Sequence, residues 1–199
     1  MTPFAVTWDY RCPFARNAHE HVLDGLAAGA AWDVAFVPFS LGQVHVADGE
    51  PPIWDRPDDD SGLLALMAGV HVRDTAPEVF LDVHRALFAV RHDQGLDLRD
   101  PDVVGKVLAD HGVDPEAALG AVADGSLLAI VRAEHERAAS QHAVWGVPTF
   151  VVGDQAAFAR IMDRPAGDGA HARATIDRIV ALVGEVPALN ELKHTSIPH

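Results

Sequence analysis

The spacing of apolar positions changes several times along the chain and predicts both strands and helices. Short apolar or alternating runs, typical of buried strands, lie at 3–8, 31–38, 150–152 and 156–161. Elsewhere apolar residues recur every three or four positions, as on the inner face of a helix. The predicted helices lie at 12–28, 62–70, 77–92, from 101, at 116–123, 126–144 and 170–183. This mixture predicts an α/β fold.

The order of these elements predicts an α/β layer that is interrupted by a helical block. Strand, helix and strand follow one another in residues 1–39, and a hairpin with a closing helix occupies 145–184. Residues 62–144 carry helical patterns alone. The connection at 40–61 is rich in Gly, Pro and Asp, and loops of this length are usually functional or disordered. The tail, 185–199, has little periodicity, and we expect it to lie on the surface or to fray.

Two helices have a strong local start signal. Asp100 precedes Pro101, and Asp114 precedes Pro115. An aspartate side chain accepts hydrogen bonds from free N–H groups at a helix start, and proline fits the first helical position. Each pair therefore predicts the first residues of a helix.

The single cysteine, Cys12, falls where the first strand meets the first helix. Free N–H groups at a helix start favour negative charge, and the thiolate is the reactive form of cysteine. Pro13 suits the first helical position, and Arg11 and Arg16 add positive charge nearby in sequence. We therefore expect the pKa of Cys12 to lie below its ordinary value. The alternative is a buried, inert cysteine that serves as a small apolar residue.

A second stretch, Trp145-Gly146-Val147-Pro148-Thr149-Phe150, resembles the Val–cis-Pro–Thr segment that faces the active cysteine in thioredoxin-fold proteins. The likeness is closest to the DsbA-like branch, which includes kappa-class glutathione transferases and 2-hydroxychromene-2-carboxylate isomerases. It covers about residues 3–184. The resemblance implies a thioredoxin fold with a large all-helical insertion and a cis bond before Pro148, beside Cys12. The implied parts are a thioredoxin-like domain at 1–39 plus 145–184, an inserted helical domain at 62–144, a cover loop at 40–61 and a C-terminal tail at 185–199.

The chain departs from this family at the cysteine motif. Dithiol members carry Cys-Pro-x-Cys, whereas this chain has Ala15 at the fourth position; the isomerases and kappa transferases commonly carry Ser in place of Cys12. The resemblance therefore implies a monothiol oxidoreductase, whose mixed disulfide is released by an external low-molecular-weight thiol such as glutathione or mycothiol. The residues expected to bind this thiol are Pro13, Phe14, Ala15, Val147 and Pro148.

Two other functions stay open. In a thiol-cofactor-dependent isomerase or transferase, Cys12 would hydrogen-bond or activate the sulfur of the cofactor without forming a covalent bond. In a catalytically inactive relative, the cleft between the domains would bind a ligand without turnover. A lowered pKa and a mixed disulfide at Cys12 would favour the oxidoreductase.

Three further residues are candidates for a pocket. Arg11 precedes the cysteine, and Trp54 lies in the middle of the connection at 40–61, where it either closes over a pocket or anchors the loop. His142 lies two turns beyond His135 on one helix face, as a pocket donor or as a histidine satisfied at the domain interface.

The acidic run at 58–60 is expected to be solvated, because adjacent carboxylates cannot converge on a metal.

Composition narrows the range of partners. The formal net charge of −14 argues against nucleic-acid binding, which depends on Lys and Arg. No apolar run approaches the ~20 residues that span a bilayer. We expect a cytoplasmic protein, since there is one cysteine and no secretory signal is seen before the first strand. No metal site is expected, because no histidine pair has chelating spacing beside the one cysteine. The oligomeric state stays open.

Overall fold

The computed structural model describes residues 1–197, which contain one mixed sheet of four strands in the order β2-β1-β3-β4. β1 runs parallel to β2 and antiparallel to β3, and β3 forms a hairpin with β4. Parallel neighbours need a crossover connection, which here is the first helix. The strands are β1 (Thr2–Trp8), β2 (Trp32–Pro38), β3 (Thr149–Val152) and β4 (Gln155–Phe158).

Eight α-helices occur in this described part of the chain, and six of them lie between β2 and β3. The α/β class with a helical insertion is therefore confirmed. The helices are α1 (Pro13–Ala27), α2 (Leu41–Val44), α3 (Leu63–Thr75), α4 (Pro77–His92), α5 (Pro101–Asp110), α6 (Pro115–Ala123), α7 (Ser126–His142) and α8 (Gly169–Glu185).

The local start signals are confirmed. The Asp100 side chain accepts from the backbone N–H of Asp102, and the Asp114 side chain accepts from that of Glu116. Two boundaries were wrong: the strand predicted at 156–161 ends at Phe158, and α3 continues past residue 70 to Thr75. The last turns of α3 look polar in sequence, but Val72 is fully buried, so tertiary packing extends the helix.

The connection at 40–61 is more structured than its composition indicates. It contains α2 and two short 3-10 helices, Ile53–Asp55 and Pro57–Asp59. The expectation of a solvated acidic run is wrong for Asp60, which is buried. Its carboxylate accepts from the backbone N–H groups of Gly62 and Leu63 and pairs with Arg11. A buried carboxylate is tolerated because these donors and this cation compensate its charge.

The first helix packs against helices from two distant parts of the chain, the insertion and the closing segment. α1 packs against α8 and α4, and α7 packs against β2. After α8, residues 186–197 form no helix or strand, while 198 and 199 of the predicted tail lie outside the described residues. Within 1–197 no helix combines the length and the apolar character that crossing a membrane requires.

Candidate functional site

Cys12 caps the N-terminus of α1. Its backbone is extended, with φ −85° and ψ 117°, and its Sγ accepts a hydrogen bond from the backbone N–H of Ala15 at 3.4 Å. The thiol in turn donates to the carbonyl oxygen of Val147, also at 3.4 Å. The residue is 8% exposed. The sulfur is therefore held between a helix start and a segment from the other end of the chain.

The segment opposite Cys12 is held by a threonine pair. The Val147–Pro148 peptide bond is cis and lies beside Cys12, as the sequence predicts. The backbone N–H of Thr149 donates to Thr7 Oγ1 at 2.9 Å, and Thr149 Oγ1 donates to the Gly146 carbonyl at 2.8 Å. Thr7 belongs to β1, so the strand that leads to Cys12 also fixes the segment that faces it.

The expected lowering of the Cys12 pKa is wrong. Burial is the largest influence and raises the pKa above the ordinary value of a thiol, because it disfavours the charged form. The N–H groups of Ala15 and Phe14 act in the opposite direction, as expected of a helix start. Asp9 raises the pKa further, and Arg160 lowers it. The helix effect is therefore present, but burial outweighs it.

The two arginines nearest to Cys12 in sequence form ion pairs with carboxylates and do not pair with the thiol. Arg11 pairs with Asp9 at 2.8 Å and with Asp60 at 3.1 Å. Arg16 is buried and pairs with Glu20 at 2.9 Å and with Asp93. The sequence places both near Cys12 and leaves open whether either turns toward it. Neither guanidinium serves the thiol, because ion pairs with the buried carboxylates of Asp9 and Asp60 hold Arg11, and ion pairs with buried Glu20 and exposed Asp93 hold Arg16.

The other residues of the cysteine motif differ in exposure. Pro13 is exposed, Phe14 is half-buried, and the side chain of Ala15 is fully buried. No second sulfur can resolve a bond at Cys12, since the chain has one cysteine. A mixed disulfide formed here has to be released by an external thiol.

Sequence reasoning missed Arg160, which follows β4. Its guanidinium carbon lies 4.6 Å from the centre of the Phe14 ring and 5.9 Å from that of Phe158. Trp145, which is 64% exposed, packs on Phe158 with ring centres 4.8 Å apart. This cation and these three rings form an aromatic rim beside Cys12. No sequence signal marks it, because Phe14 and Arg160 lie far apart in the chain.

Trp54 and His142 are not brought to the cysteine by any contact that the structure contains. Trp54 is 7% exposed and packs on His135, with ring centres 5.4 Å apart, which favours the anchoring interpretation. His142 lines a cavity of about 120 Å³ together with Thr7 and Arg137, and the lining does not include Cys12. Its Nδ1 is buried without a hydrogen-bond partner within residues 1–197.

A buried chain of imidazoles behind the cysteine was also missed. His19 Nε2 lies 3.1 Å from the Thr7 carbonyl oxygen, His19 Nδ1 lies 2.9 Å from His84 Nε2, and His84 Nδ1 lies 2.8 Å from the Tyr10 hydroxyl. Because a carbonyl can only accept, His19 Nε2 donates, His84 Nε2 donates to His19, and the tyrosine donates to His84. All three side chains are fully buried. The chain ties β1, α1 and α4 together, with Tyr10 two residues before Cys12.

No group of three or more His, Cys, Asp or Glu residues in the described range 1–197 is arranged to hold a metal ion.

Comparison with known proteins assigns the family. The model of the DSBA-like thioredoxin domain matches residues 6–167, so this chain belongs to the DSBA-like thioredoxin family. A relative, "Uncharacterized protein Rv2286c" of Mycobacterium tuberculosis (strain ATCC 25618 / H37Rv), is 27% identical over 199 residues. The match spans 100% of this chain and 84% of that protein.

Solved structures share the fold at low identity. The structure of 2-hydroxychromene-2-carboxylate isomerase is similar with a TM-score of 0.65 and 14% identity, over 90% of this chain and 97% of that chain. The structure of the cytosolic disulfide reductase DsbM from Pseudomonas aeruginosa with GSH is similar with a TM-score of 0.62 and 14% identity. This match covers 90% of this chain and 100% of that chain. At these identities the likeness concerns the fold, and the reaction has to be argued from the site.

Proposed function

We propose that this protein is a thiol-disulfide oxidoreductase that uses Cys12 as its single reactive sulfur and a low-molecular-weight thiol as the second partner. The observation that carries this proposal is the position of Cys12 Sγ, which accepts the Ala15 N–H and faces the Val147 carbonyl. In this arrangement the sulfur sits at a helix start, where the N–H group stabilises the thiolate each time it forms.

The proposed reaction consists of two exchanges. After Cys12 gives its proton to solvent, the thiolate attacks one sulfur of a disulfide, the substrate S–S bond breaks, and the departing thiolate takes up a proton. The product is a mixed disulfide at Cys12. An external thiolate then attacks the substrate sulfur of that bond, and Cys12 leaves as a thiolate. One half of the substrate has then left as a thiol, the other half leaves as a mixed disulfide with the external thiol, and Cys12 takes up a proton and returns to its starting state. A second molecule of the external thiol reduces that mixed disulfide by the same exchange, so two external thiols are oxidised for each substrate disulfide reduced.

The surroundings assign roles to the remaining residues. Val147 would present its backbone to the incoming thiol or disulfide, and Pro148 would keep that backbone beside the sulfur. Pro13 and Phe14 would form the exposed edge of the entry, while Ala15 supplies an N–H group and no second thiol. Glutathione and mycothiol are the candidate external thiols. The GSH in the DsbM structure supports the first of them by analogy of fold.

The raised pKa of Cys12 favours a second candidate, a thiol-cofactor-dependent isomerase or transferase. A thiol that stays protonated can donate a hydrogen bond to the sulfur of a bound cofactor, as the family's serine does in the isomerases. Here Cys12 already donates to the Val147 carbonyl and would switch to the cofactor when it binds. No covalent bond to Cys12 forms in this reaction.

Intact mass spectrometry separates the two candidates. Wild type and Cys12→Ser are incubated with oxidised glutathione, then with an excess of reduced thiol. The oxidoreductase predicts a single mixed-disulfide adduct on the wild type, absent from Cys12→Ser and removed by the reduced thiol. Binding of reduced glutathione without an adduct would support the isomerase or transferase instead. Neither an adduct nor binding, with glutathione and with mycothiol alike, would leave an inactive ligand-binding relative and overturn both candidates.

Two properties of the cellular setting belong to the same proposal. We place the protein in the cytoplasm, where thiols are kept reduced and an external reductant is available. The net charge of −14 supports partners that are small molecules or proteins rather than nucleic acids.

A further inference from the structure

Arg160 lies over the ring of Phe14, two residues from the candidate reactive sulfur, and the exchange steps assign it no bond to form or break. Its guanidinium carbon lies over the Phe14 ring, 4.6 Å from the ring centre, and the residue is exposed to solvent. Within residues 1–197 it has no hydrogen bond or ion pair of its own. A guanidinium held over a ring without hydrogen-bond partners has N–H groups free for a carboxylate, which can bind it with two hydrogen bonds.

The backbone on both sides of Arg160 is fixed. The N–H of Ala159 donates to the Pro148 carbonyl at 3.1 Å, and Asn17 Nδ2 donates to the Ile161 carbonyl at 3.0 Å. The first bond ties the segment to the residues opposite Cys12, and the second ties it to α1. Arg160 is therefore carried on the same frame as the sulfur, and its position is not that of a loose surface arginine.

The net negative charge of the protein makes a cation near Cys12 important for binding any anionic ligand. A net charge of −14 repels anions at a distance, and the carboxylate of Asp9 near Cys12 adds to that effect. An anionic ligand that reaches the sulfur needs a local cation. Arg11 and Arg16 are paired with carboxylates, which leaves Arg160 at the aromatic rim.

We propose that Arg160 is a specificity-determining residue that selects thiols and disulfides bearing a carboxylate close to the sulfur. This inference rests on the proposed function and narrows its substrate class. Glutathione carries carboxylates, whereas mycothiol is a neutral sugar thiol, so the inference favours the first among the two candidate thiols. The aromatic rings at the rim would cover the apolar part of the bound molecule.

The test compares disulfide probes that differ in charge. Dithiobis(nitrobenzoate) carries carboxylates, dipyridyl disulfide is neutral, and cystamine is positively charged. Exchange rates at Cys12 are measured for wild type, Arg160→Gln and the control Arg178→Gln, which removes an exposed arginine of α8. We expect Arg160→Gln to lower the rate with the carboxylate probe about five- to tenfold relative to the neutral probe. Arg178→Gln should leave this ratio unchanged, and added salt should narrow the difference.

A loss that is equal for all three probes, or no loss, would overturn the inference while leaving the oxidoreductase intact. If the wild type exchanges with none of the three probes, the proposed function fails. The role of Arg160 is then tested separately by a binding measurement. Calorimetry with S-methylglutathione, which cannot exchange, compares Cys12→Ser with Cys12→Ser/Arg160→Gln. An affinity about five- to tenfold weaker in the double variant supports the role of Arg160. Equal affinities, or no binding to either variant, contradict it.

Discussion

The Sγ of Cys12 lies 3.4 Å from the carbonyl oxygen of Val147, a residue 135 positions away in the chain. A carbonyl oxygen can only accept, so this contact is a hydrogen bond only when the sulfur carries its proton. The Ala15 N–H on the other side of the sulfur stabilises the thiolate. The Val147 carbonyl therefore favours the protonated thiol and the Ala15 N–H favours the thiolate. Burial adds to the first effect, so the protonated form is favoured overall.

The first prediction is that free Cys12 titrates above the ordinary value of about 8.5 for cysteine. Burial and the hydrogen bond to Val147 favour the protonated form, and they outweigh the helix start. The rate of alkylation by iodoacetamide, measured across pH by intact mass, gives the apparent pKa. Each adduct reports on Cys12 alone, since the chain has one cysteine, and Cys12→Ser serves as the blank. An apparent pKa at or below the ordinary value would contradict the prediction.

The second prediction concerns Ala15→Cys, which creates a second thiol one helical turn beyond Cys12. The Ala15 side chain is fully buried, and its N–H already lies 3.4 Å from Cys12 Sγ. We expect the variant to form an internal disulfide on mild oxidation and to lose both alkylation sites. Intact mass after oxidation and alkylation measures this loss.

A matched control for that variant is Ala18→Cys, another fully buried position in α1. Six residues along a helix place the two Cα atoms about 9 Å apart, beyond the ~7 Å limit for a disulfide. This variant should keep two thiols that can be alkylated after unfolding. If Ala15→Cys behaves in the same way as Ala18→Cys, the start of α1 does not provide dithiol geometry.

The contrast between Asp114 and Asp60 shows what the sequence could predict. Asp114 precedes a proline and caps its own helix, so the rule and the structure involve the same few residues. Asp60 stands in an acidic run that looks solvated, yet it is buried because Arg11 and two N–H groups reach it. Local signals of helix starts and strands were read correctly, whereas partners that are distant in sequence were not.

The candidate site likewise combines features that local sequence signals predicted with features that depend on tertiary contacts. Cys12 at a helix start and its pairing with Pro148 followed from the motifs and from the resemblance to a family. The sign of the pKa shift did not, because the helix start is a local property and burial is a tertiary one. Arg160 reaches Phe14 only after the β3–β4 hairpin has folded onto α1, and nothing in its own sequence neighbourhood indicates that contact.

The third prediction is that ligands at Cys12 are reported by Trp145 and not by Trp54. Trp54 is 7% exposed and packed on His135, whereas Trp145 is 64% exposed on the aromatic rim. A molecule bound at this rim changes the exposure of the second ring. Tryptophan fluorescence is followed while oxidised glutathione is added to wild type, Trp145→Phe and Trp54→Phe.

We expect the fluorescence response to disappear in Trp145→Phe and to persist in Trp54→Phe. The opposite result would mean that residues 40–61 move over the ligand, and the interpretation of Trp54 as an anchor would be wrong. The other two tryptophans, Trp8 and Trp32, are buried in both variants and provide a constant background.

The last prediction concerns acid stability and arises from the imidazole chain behind the cysteine. Burial lowers the pKa of His19 to about 4 and that of His84 well below its ordinary value. The unfolded chain binds these protons near pH 6.5, so between about 6.5 and 4 the unfolded state holds more protons than the folded state. The contribution of these two histidines to the free energy of unfolding is therefore fully present above about pH 6.5 and is lost as the pH falls toward 4.

Urea unfolding at a series of pH values tests this window with three proteins. The variant His19→Gln keeps a donor for the Thr7 carbonyl and an acceptor for His84, but it cannot be protonated in this range. We expect the free energy of unfolding to fall less steeply between pH 6.5 and 4 in His19→Gln than in the wild type. His45→Gln, which changes an exposed histidine, should retain the wild-type slope. Equal slopes in all three proteins would show that protonation of the buried chain does not govern acid unfolding.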